Sequence, residues 1–309
     1  MTVLSSPPVR ADRPMLRTRR DRPNWTGWIF VGPFMAVFLL VLVAPVVYSI
    51  YLSLFREQLI GGNSFVGLAN YAQALGDPKF WESFSRVLVF LLVQVPIMLV
   101  IALVSALAID SGRLRFSAFF RISIFLPYAV PAVVATLMWG FIFGTRFGLI
   151  GNINDAFGLD IPAPLSGSWI LAAIGNIVTW EFIGYNMLIF YAALRVIPTD
   201  LYEAASLDGA GQYRIVWNIK IPAIRGAIVI AAIFSVIGSF QLFNEPNILK
   251  SLAPNAISTY FTPNMYAYNL SFAGQQFNYS AAIAIIMGLI TMLIAYVVQL
   301  SGSQKDQLR

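Results

Sequence analysis

The residues that could bind a solute are polar side chains within long apolar stretches. Glu181 is an ionisable residue near the centre of one such stretch, and Trp180, Tyr185 and Asn186 lie close to it in sequence. A charged group inside a bilayer is costly and usually functional. Carboxylate and amide groups hydrogen-bond to hydroxyl groups, and aromatic rings stack on the apolar faces of sugar-like rings. This cluster therefore predicts a path for a hydroxyl-rich solute through a membrane.

Two more polar residues, Gln241 and Asn244, lie near the end of a later apolar stretch and extend this candidate path. Helical spacing places Glu181 and Tyr185 on one face and Asn186 on another. One face could line a cavity while the other packs against a neighbouring helix, and the sequence leaves open which does which. A hydrogen bond between two helices, with no ligand, would use the same residue types.

Several kinds of covalent chemistry are excluded by residues that the chain lacks. The sequence contains no Cys and no His, so thiolate chemistry, disulfides and most zinc or iron sites are excluded. None of the lysines follows a glycine, although a phosphate-binding loop of the Walker A type needs that pair. We therefore predict no catalytic residues, no metal and no cofactor in this chain, and any ATPase that drives it must be a separate polypeptide.

The composition indicates a membrane protein. Hydrophobic residues make up 58% of the sequence and charged residues 11%, and the mean hydropathy is +0.74. A soluble chain carries about 25% charged residues, so this chain has too few polar residues to form the surface of a water-soluble protein.

Blocks of about 20 apolar residues cross a bilayer as helices. The sequence predicts an all-α fold with six spans: Gly27–Ile50, Arg86–Ile109, Ile122–Phe143, Trp169–Leu194, Gly226–Leu249 and Ala281–Leu300. We expect Pro96 to interrupt the second span, and Pro127 and Pro131 to kink the third.

The basic residues predict the orientation. Most of the 20 lysines and arginines fall in the N-terminal tail, in the loops after the second and fourth spans, and in the C-terminal tail. Because they cluster at span ends, they indicate membrane orientation and not nucleic-acid binding, and the positive-inside rule puts both termini in the cytoplasm. We predict a disordered basic tail over residues 1–25, one transmembrane domain over 26–303 and a short tail over 304–309.

The loop between the fourth and fifth spans, residues 195–225, is long for a compact chain, and long loops tend to be functional. Pro198 is expected to end the fourth span, because it cannot continue the helical hydrogen bonds. Thr199 or Asp200 can cap a short helix over 201–207, and with Asp200 as the cap, Glu203 three residues later would complete a capping box. Gly209 or Gly211 would end that helix, and a second helix is expected from about Tyr213 until Pro222 breaks it before the fifth span.

Within this loop, Glu203-Ala204-Ala205 is followed by Gly209 and then by Ile219, Lys220 and the pair Ile221-Pro222. This spacing resembles the EAA loop of ABC importer permeases of the binding-protein-dependent type, with Ile where Leu is usual in the last element. Asp208-Gly209-Ala210 also matches the commoner form of the motif. Ala204 and Ala205 keep one helix face thin, so that another protein can approach closely.

Other segments resemble the sugar branch of these permeases, the MalF-like chains. They are residues 65–71 with 77–81, which look like the first external loop, residues 121–131, which look like the third span, and residues 193–198, which look like the entry to the EAA loop. One segment departs from that pattern. Leu249–Pro254 occupies the place of a turn similar to Thr-Gly-Gly-Pro that sugar permeases often carry after the fifth span.

The resemblance implies a permease subunit of an ATP-driven importer in a bacterial inner membrane, with a sugar or related polyol as cargo and no enzyme activity of its own. Its implied partners are a second, different permease chain, a cytoplasmic ATPase dimer, an extracytoplasmic solute-binding protein and the lipid bilayer. The EAA helix of the family docks on the ATPase and rocks the spans between inward and outward access. The residues implied at that interface are Glu203, Ala204, Ala205, Asp208, Gly209 and Ala210.

Other interpretations use the same features. A stand-alone secondary transporter would need coupling-ion ligands or inverted repeats within the membrane, and the sequence offers a single mid-span carboxylate. A permease for a solute other than a sugar, or an exporter or channel subunit without a binding protein, would keep the six spans. The loop itself could also be a short amphipathic helix lying in the membrane interface.

Overall fold

The computed structural model describes residues 25–58, 62–145 and 148–303. The predicted basic tail, apart from its last residue, and the short tail over 304–309 therefore lie outside the described residues. The chain divides into two compact units, one ending at Tyr48 and one beginning at Ser49. The predicted all-α fold class is confirmed, because the described residues are mainly helical and their strands are confined to one short hairpin.

The described part of the first unit, residues 25–48, is apolar helix. Helix α1 is Trp25–Phe38, a π-helical turn follows over Leu39–Val43, and α2, Ala44–Ser53, continues into the second unit. Most of its large side chains are exposed, Phe30 to 81%. Such a surface requires lipid or another protein around it, as expected of a membrane span.

The second unit begins with a hairpin and continues as helices. Strands β1, Phe55–Gln58, and β2, Gly62–Phe65, pair antiparallel with Phe55 opposite Phe65. The first half of the helices is α3 Ala69–Leu75, α4 Pro78–Asp110, α5 Ser117–Phe125, α6 Ala132–Ile142, α7 Leu149–Phe157 and α8 Ile170–Leu194. The second half is α9 Thr199–Leu207, α10 Gln212–Ile215, α11 Ile221–Ala223, α12 Arg225–Phe240, α13 Asn244–Leu249, α14 Pro263–Phe272 and α15 Phe277–Ser303.

Five helical segments of the described residues are long and apolar enough to cross a membrane, and a bent pair makes a sixth. The five are Gly27–Ser53, Pro78–Asp110, Ile170–Leu194, Arg225–Leu249 and Phe277–Leu300, and the bent pair is Ser117–Ala129 with Ala132–Ile142. The predicted count of six spans is thus matched when the pair is taken as one span.

The third predicted span, Ile122–Phe143, is not one helix. Helix α5 passes into a 3-10 turn over Leu126–Ala129, and α6 then leaves at an angle of 99°. Pro131 explains the break, because the residue before a proline is pushed out of the helical region. Val130 is accordingly extended, with φ −79° and ψ 130°. The prolines therefore break this span, a larger effect than the predicted kink.

The second span is longer than predicted. Helix α4 begins at Pro78, where the Oδ1 atom of the N-cap residue Asp77 accepts a hydrogen bond of 2.9 Å from the Lys79 backbone N–H. Pro96 lies within α4 and does not end it, so the predicted interruption is wrong. The side of α4 that carries Phe90, Val95 and Ala102 is buried, and α4 packs along α8, which buries Ile174 and Phe190. This helix pair forms the centre of the unit.

Candidate solute path and coupling loop

A cavity of about 410 Å³ lies among α4, α8, α12 and α13. Its lining includes four residues of the predicted path, Tyr185, Asn186, Gln241 and Asn244. It also includes Glu245, which the sequence analysis did not select. The fourth and fifth predicted spans therefore meet at one cavity, as a shared solute path requires.

The other two predicted path residues lie beside the cavity but do not line it. Trp180 packs edge-on against Trp139, with ring centroids 5.8 Å apart. Glu181 is only 4% exposed, and its Oε1 atom has no hydrogen-bond partner among the described residues. A buried polar atom without a partner is costly, so this carboxyl group differs from the paired polar groups around it.

Glu245 is a second buried carboxyl group, 7% exposed, and it interacts electrostatically with Glu181. It lies just after the break between α12, which ends at Phe240, and α13, which starts at Asn244. Helix α13 then packs against α6 and α8. The polar run from Gln241 to Pro246 is the sequence signal that could have revealed this residue.

Aromatic rings form one wall of the cavity. Tyr185 stacks on Tyr128, with centroids 5.0 Å apart and an interplanar angle of 19°. Tyr128 also meets Phe182 edge-on at 5.9 Å. Gly184 allows this arrangement, because a Cβ atom there would lie 2.6 Å from the Phe125 Cα and closer still to the Ile124 carbonyl oxygen. The break in the third span thus places Tyr128 in contact with Phe182 and Tyr185 of α8.

The amide groups of the cavity connect α8 with α4. Asn186 donates to the Phe182 carbonyl at 3.0 Å and approaches the Met98 sulfur at 3.8 Å. Gln94, a lining residue on α4, donates to the Thr179 hydroxyl at 3.2 Å. The Gln94 Oε1 atom is buried and has no partner in the described part of the chain. Asn186 therefore serves both helix packing and the cavity, so the two faces considered from the sequence are not separate.

The loop after α8 contains the predicted short helix as α9, but its start differs. The helix begins at Thr199 directly after Pro198, and Asp200 lies inside its first turn. The capping-box prediction is wrong, because the extended backbone of Pro198, with ψ 136°, already starts the helix. No side chain caps this end by a hydrogen bond.

The end of α9 is set by Gly209. This residue has φ +78°, a conformation that costs other residues about 1–2 kcal/mol. Ala210 N–H donates to the Ala205 carbonyl at 2.9 Å, and Gly209 N–H donates to the Ser206 carbonyl at 3.1 Å. These two bonds form a Schellman motif, which explains why the helix needs a glycine at this position.

The motif residues of α9 are accessible. Glu203, Ala204, Asp208 and Gly209 are exposed, while Ala205 and Ala210 are half-buried. Leu207 is 90% exposed.

The second half of the loop is less regular than predicted. Helix α10 passes into a π-helical turn over Val216–Lys220 and then into the short α11. Pro222 lies within α11, and the helical path breaks after it, at Ile224, where φ is −96° and ψ is 9°. The predicted break before the fifth span is thus two residues beyond the proline.

A carboxylate joins the opposite end of α4 to α14 and α15. The Oδ2 atom of Asp77 accepts hydrogen bonds from the Tyr266 hydroxyl at 2.5 Å and the Tyr279 hydroxyl at 2.8 Å. Burial acts to raise the pKa of Asp77, but these phenols and the Lys79 N–H outweigh it and hold the pKa below its usual value of 3.8.

Within the described ranges, no cluster of three or more His, Cys, Asp or Glu residues could hold a metal ion.

A helical membrane chain with a cavity between its spans that contains a few polar groups has the architecture expected of a membrane transport subunit. Residues 66–303 match the family described as "Binding-protein-dependent transport system inner membrane component". The chain belongs to this family. The resemblance drawn from the EAA-type loop is thereby confirmed.

Curated relatives cover nearly the whole chain. The lactose transport system permease protein LacF of Rhizobium radiobacter is 33% identical over 281 residues, which are 87% of this chain and 91% of the relative. The sulfoquinovosyl glycerol transport system permease protein SmoG of Agrobacterium fabrum is 31% identical over 302 residues, 93% of this chain and 96% of the relative. These names agree with the sugar branch of the family.

The fold also occurs in a solved structure of a bacterial ABC transporter involved in the import of the acidic polysaccharide alginate. The TM-score is 0.78 at 17% identity, with 91% of this chain and 96% of the other covered. A second structure of that transporter, in complex with an alginate pentasaccharide-bound periplasmic protein, gives the same TM-score with 94% of its chain covered. At this identity the likeness establishes the fold alone.

Proposed function

We propose that this chain is the transmembrane permease subunit of an ATP-driven importer for a neutral sugar or a related polyol, and that it forms half of the translocation path. Family membership and the names of the curated relatives support this function. The observation that carries the proposal is the exposed helix α9, in which the EAA-type residues end in the Gly209 turn.

The cargo is inferred from the cavity. Its lining offers amide groups, hydroxyl groups and the stacked pair Tyr128–Tyr185, which suit a hydroxyl-rich ring. Glu245 lines it and Glu181 lies beside it, whereas no lysine or arginine is among the described lining residues. An anionic solute would add a third acidic group beside these two carboxyl groups, with no cation among the described lining residues to compensate it. A neutral sugar or polyol fits better than an acidic saccharide such as the alginate carried by the structural neighbour.

In this proposal, the energy of ATP hydrolysis reaches the spans through the loop of residues 195–225. An ATPase subunit receives α9, with Glu203, Ala204, Ala205, Asp208, Gly209 and Ala210 at the contact. ATP-driven closure of the ATPase dimer then moves α9 and shifts the spans between inward and outward access. ATP hydrolysis belongs to that partner, so this chain is not itself an enzyme.

The assembly we propose has a second, different permease chain, two ATPase copies and an external solute-binding protein. The chain lies in a bacterial inner membrane with α9 and both termini on the cytoplasmic side, as the distribution of lysine and arginine favours. The largely exposed apolar surface of α1 is available to lipid or to the partner permease.

Co-purification and uptake test this function. Gly209→Asp and Glu203→Lys should insert into the membrane normally but lose the ATPase on pull-down and lose sugar uptake. Gly158→Asp is a matched control, because Gly158 ends α7 with φ +62°, is equally open, and lies outside the loop. A wild-type chain that takes up sugar without any ATPase partner would overturn the proposal and favour a secondary transporter.

A further inference from the structure

A buried ion pair joins the loop to α4, away from the solute cavity. The Lys220 Nζ atom lies 2.5 Å from the Asp110 Oδ2 atom, and the two side chains are 9% and 7% exposed. Asp110 is the last residue of α4, and Lys220 is the last residue of the π-helical turn. The pair therefore connects two elements that are 110 residues apart in sequence.

The same ammonium group contacts the helix that carries the EAA-type motif. Lys220 Nζ lies 5.1 Å from the centroid of the Tyr202 ring, and Tyr202 belongs to α9. Cations are attracted to the faces of aromatic rings at this distance. Burial and the charge of Asp110 raise the pKa of Tyr202, and Arg195 opposes them in part. The ring therefore stays a neutral phenol beside the cation.

The π-helical turn directs Lys220 inward. Ile215 and Lys220 are both buried although they are five positions apart, a spacing that an α-helix would place on different faces. The Ile221 N–H donates to the Val216 carbonyl, which is the wider bond of a π turn. Such turns are frequent at functional sites. The local backbone is thus shaped to bring one cation between Asp110 and Tyr202.

We propose that Lys220 is a positioning residue for energy coupling: through Tyr202 and Asp110 it joins α9 to α4, so that movement of α9 is transmitted to this span. The inference rests on the proposed function, since it takes an ATPase to move α9. It adds a specific route, because α4 packs along α8 and lines the solute cavity with Phe90, Gln94 and Met98.

The test uses the reconstituted complex of both permeases and the ATPase, with the solute-binding protein and its sugar supplied. Asp110→Asn combined with Lys220→Met removes both charges and leaves neither one buried alone, so this neutral variant should fold. It should co-purify with the ATPase as the wild type does. Stimulation of ATP hydrolysis by the loaded binding protein should fall about five-fold or more, with basal hydrolysis retained.

Two further variants separate coupling from mere packing. The reversed pair, Asp110→Lys with Lys220→Asp, keeps opposite charges at the two positions but removes the cation from the Tyr202 ring, so stimulation should stay as low as in the neutral variant. Tyr202→Phe keeps the ring and should stay coupled, whereas Tyr202→Leu should lose stimulation. The matched control, Asp155→Asn with Lys250→Met, makes the same chemical changes outside the loop and should behave as wild type.

Normal stimulation in the neutral variant, or in Tyr202→Leu, overturns the inference. So does a reversed pair that regains normal stimulation, because the contact between Lys220 and Tyr202 would then not be part of the route. Loss of the ATPase from the neutral variant alone would assign Lys220 to docking and also overturn it. If the wild-type chain itself retains no ATPase, the proposed function fails, and that result is distinct from every outcome of the variants.

Discussion

Buried ionisable side chains occur in two regions of this chain, as an ion pair in one and as unpaired carboxyl groups in the other. Lys220 and Asp110 form an ion pair of 2.5 Å at the loop end of α4. Glu181 and Glu245 are also buried, near or in the lining of the cavity; both are carboxyl groups, and they make no ion pair with any residue in the described ranges. A paired buried charge stabilises the fold relative to the loss of one partner. Unpaired carboxyl groups lower stability and are retained where a ligand or partner meets them.

The largest expected effect comes from breaking the ion pair on one side. Lys220→Met leaves Asp110 buried and unpaired, which should cost about 3–5 kcal/mol of folded-state stability. Thermal unfolding of the purified chain in nanodiscs, followed by tryptophan fluorescence, measures this loss. The Lys250→Met control, at a cation without a buried ion pair, should unfold near the wild-type temperature. A wild-type melting temperature for Lys220→Met would show that the pair contributes nothing.

Asp77 offers an intermediate case, a carboxylate paired with two phenols instead of a cation. Asp77→Asn should cost about 1.5–3 kcal/mol, because Tyr266 and Tyr279 lose a charged acceptor that joins α4 to α14 and α15. The same thermal measurement applies, with Asp155→Asn as a control at an exposed aspartate. Equal melting temperatures for the two variants would contradict the assigned role of the phenol contacts.

The parts of these regions that the sequence predicted are those set by neighbouring residues. Gly209 ends α9 because a left-handed residue is needed one position beyond the helix, and a glycine there is a local signal. The failed capping box is also local: Pro198 starts α9 two residues before Asp200, the N-cap that the box requires. In both cases a few adjacent residues decide the outcome.

The cavity could not be predicted to the same extent, because residues distant in sequence create it. Tyr128 reaches Tyr185 only because the third span breaks by 99° and Gly184 lets the backbone approach. The prolines indicated a kink but not its angle. Glu245 lies just after the break at which α12 stops, at Phe240, and no single residue there signals the stop as a proline would. The Lys220–Asp110 contact likewise depends on tertiary packing.

A smaller effect follows from the pH dependence of the Asp77 contact. Its pKa is lowered in the folded chain, so its contribution to stability is complete above its usual value of 3.8. That contribution is lost as the pH falls through the lowered folded-state pKa. The gap in melting temperature between wild type and Asp77→Asn should therefore be constant near neutral pH and shrink below about pH 4. A gap that widens on acidification would contradict this direction.

The smallest change in stability, and the opposite sign, is expected for the unpaired carboxyl group. Glu181→Gln replaces a buried carboxyl group that has no cation partner among the described residues, so stability should be unchanged or rise by up to about 1 kcal/mol. Uptake of a sugar should nevertheless fall about ten-fold, because the solute path that we propose includes Glu181 and the loss of one hydrogen bond to the cargo costs about 1.4 kcal/mol. Glu57→Gln, at an exposed glutamate of β1, controls for the chemical change. A large loss of stability with unaltered uptake would place Glu181 among the packing contacts and remove the distinction between the two buried regions.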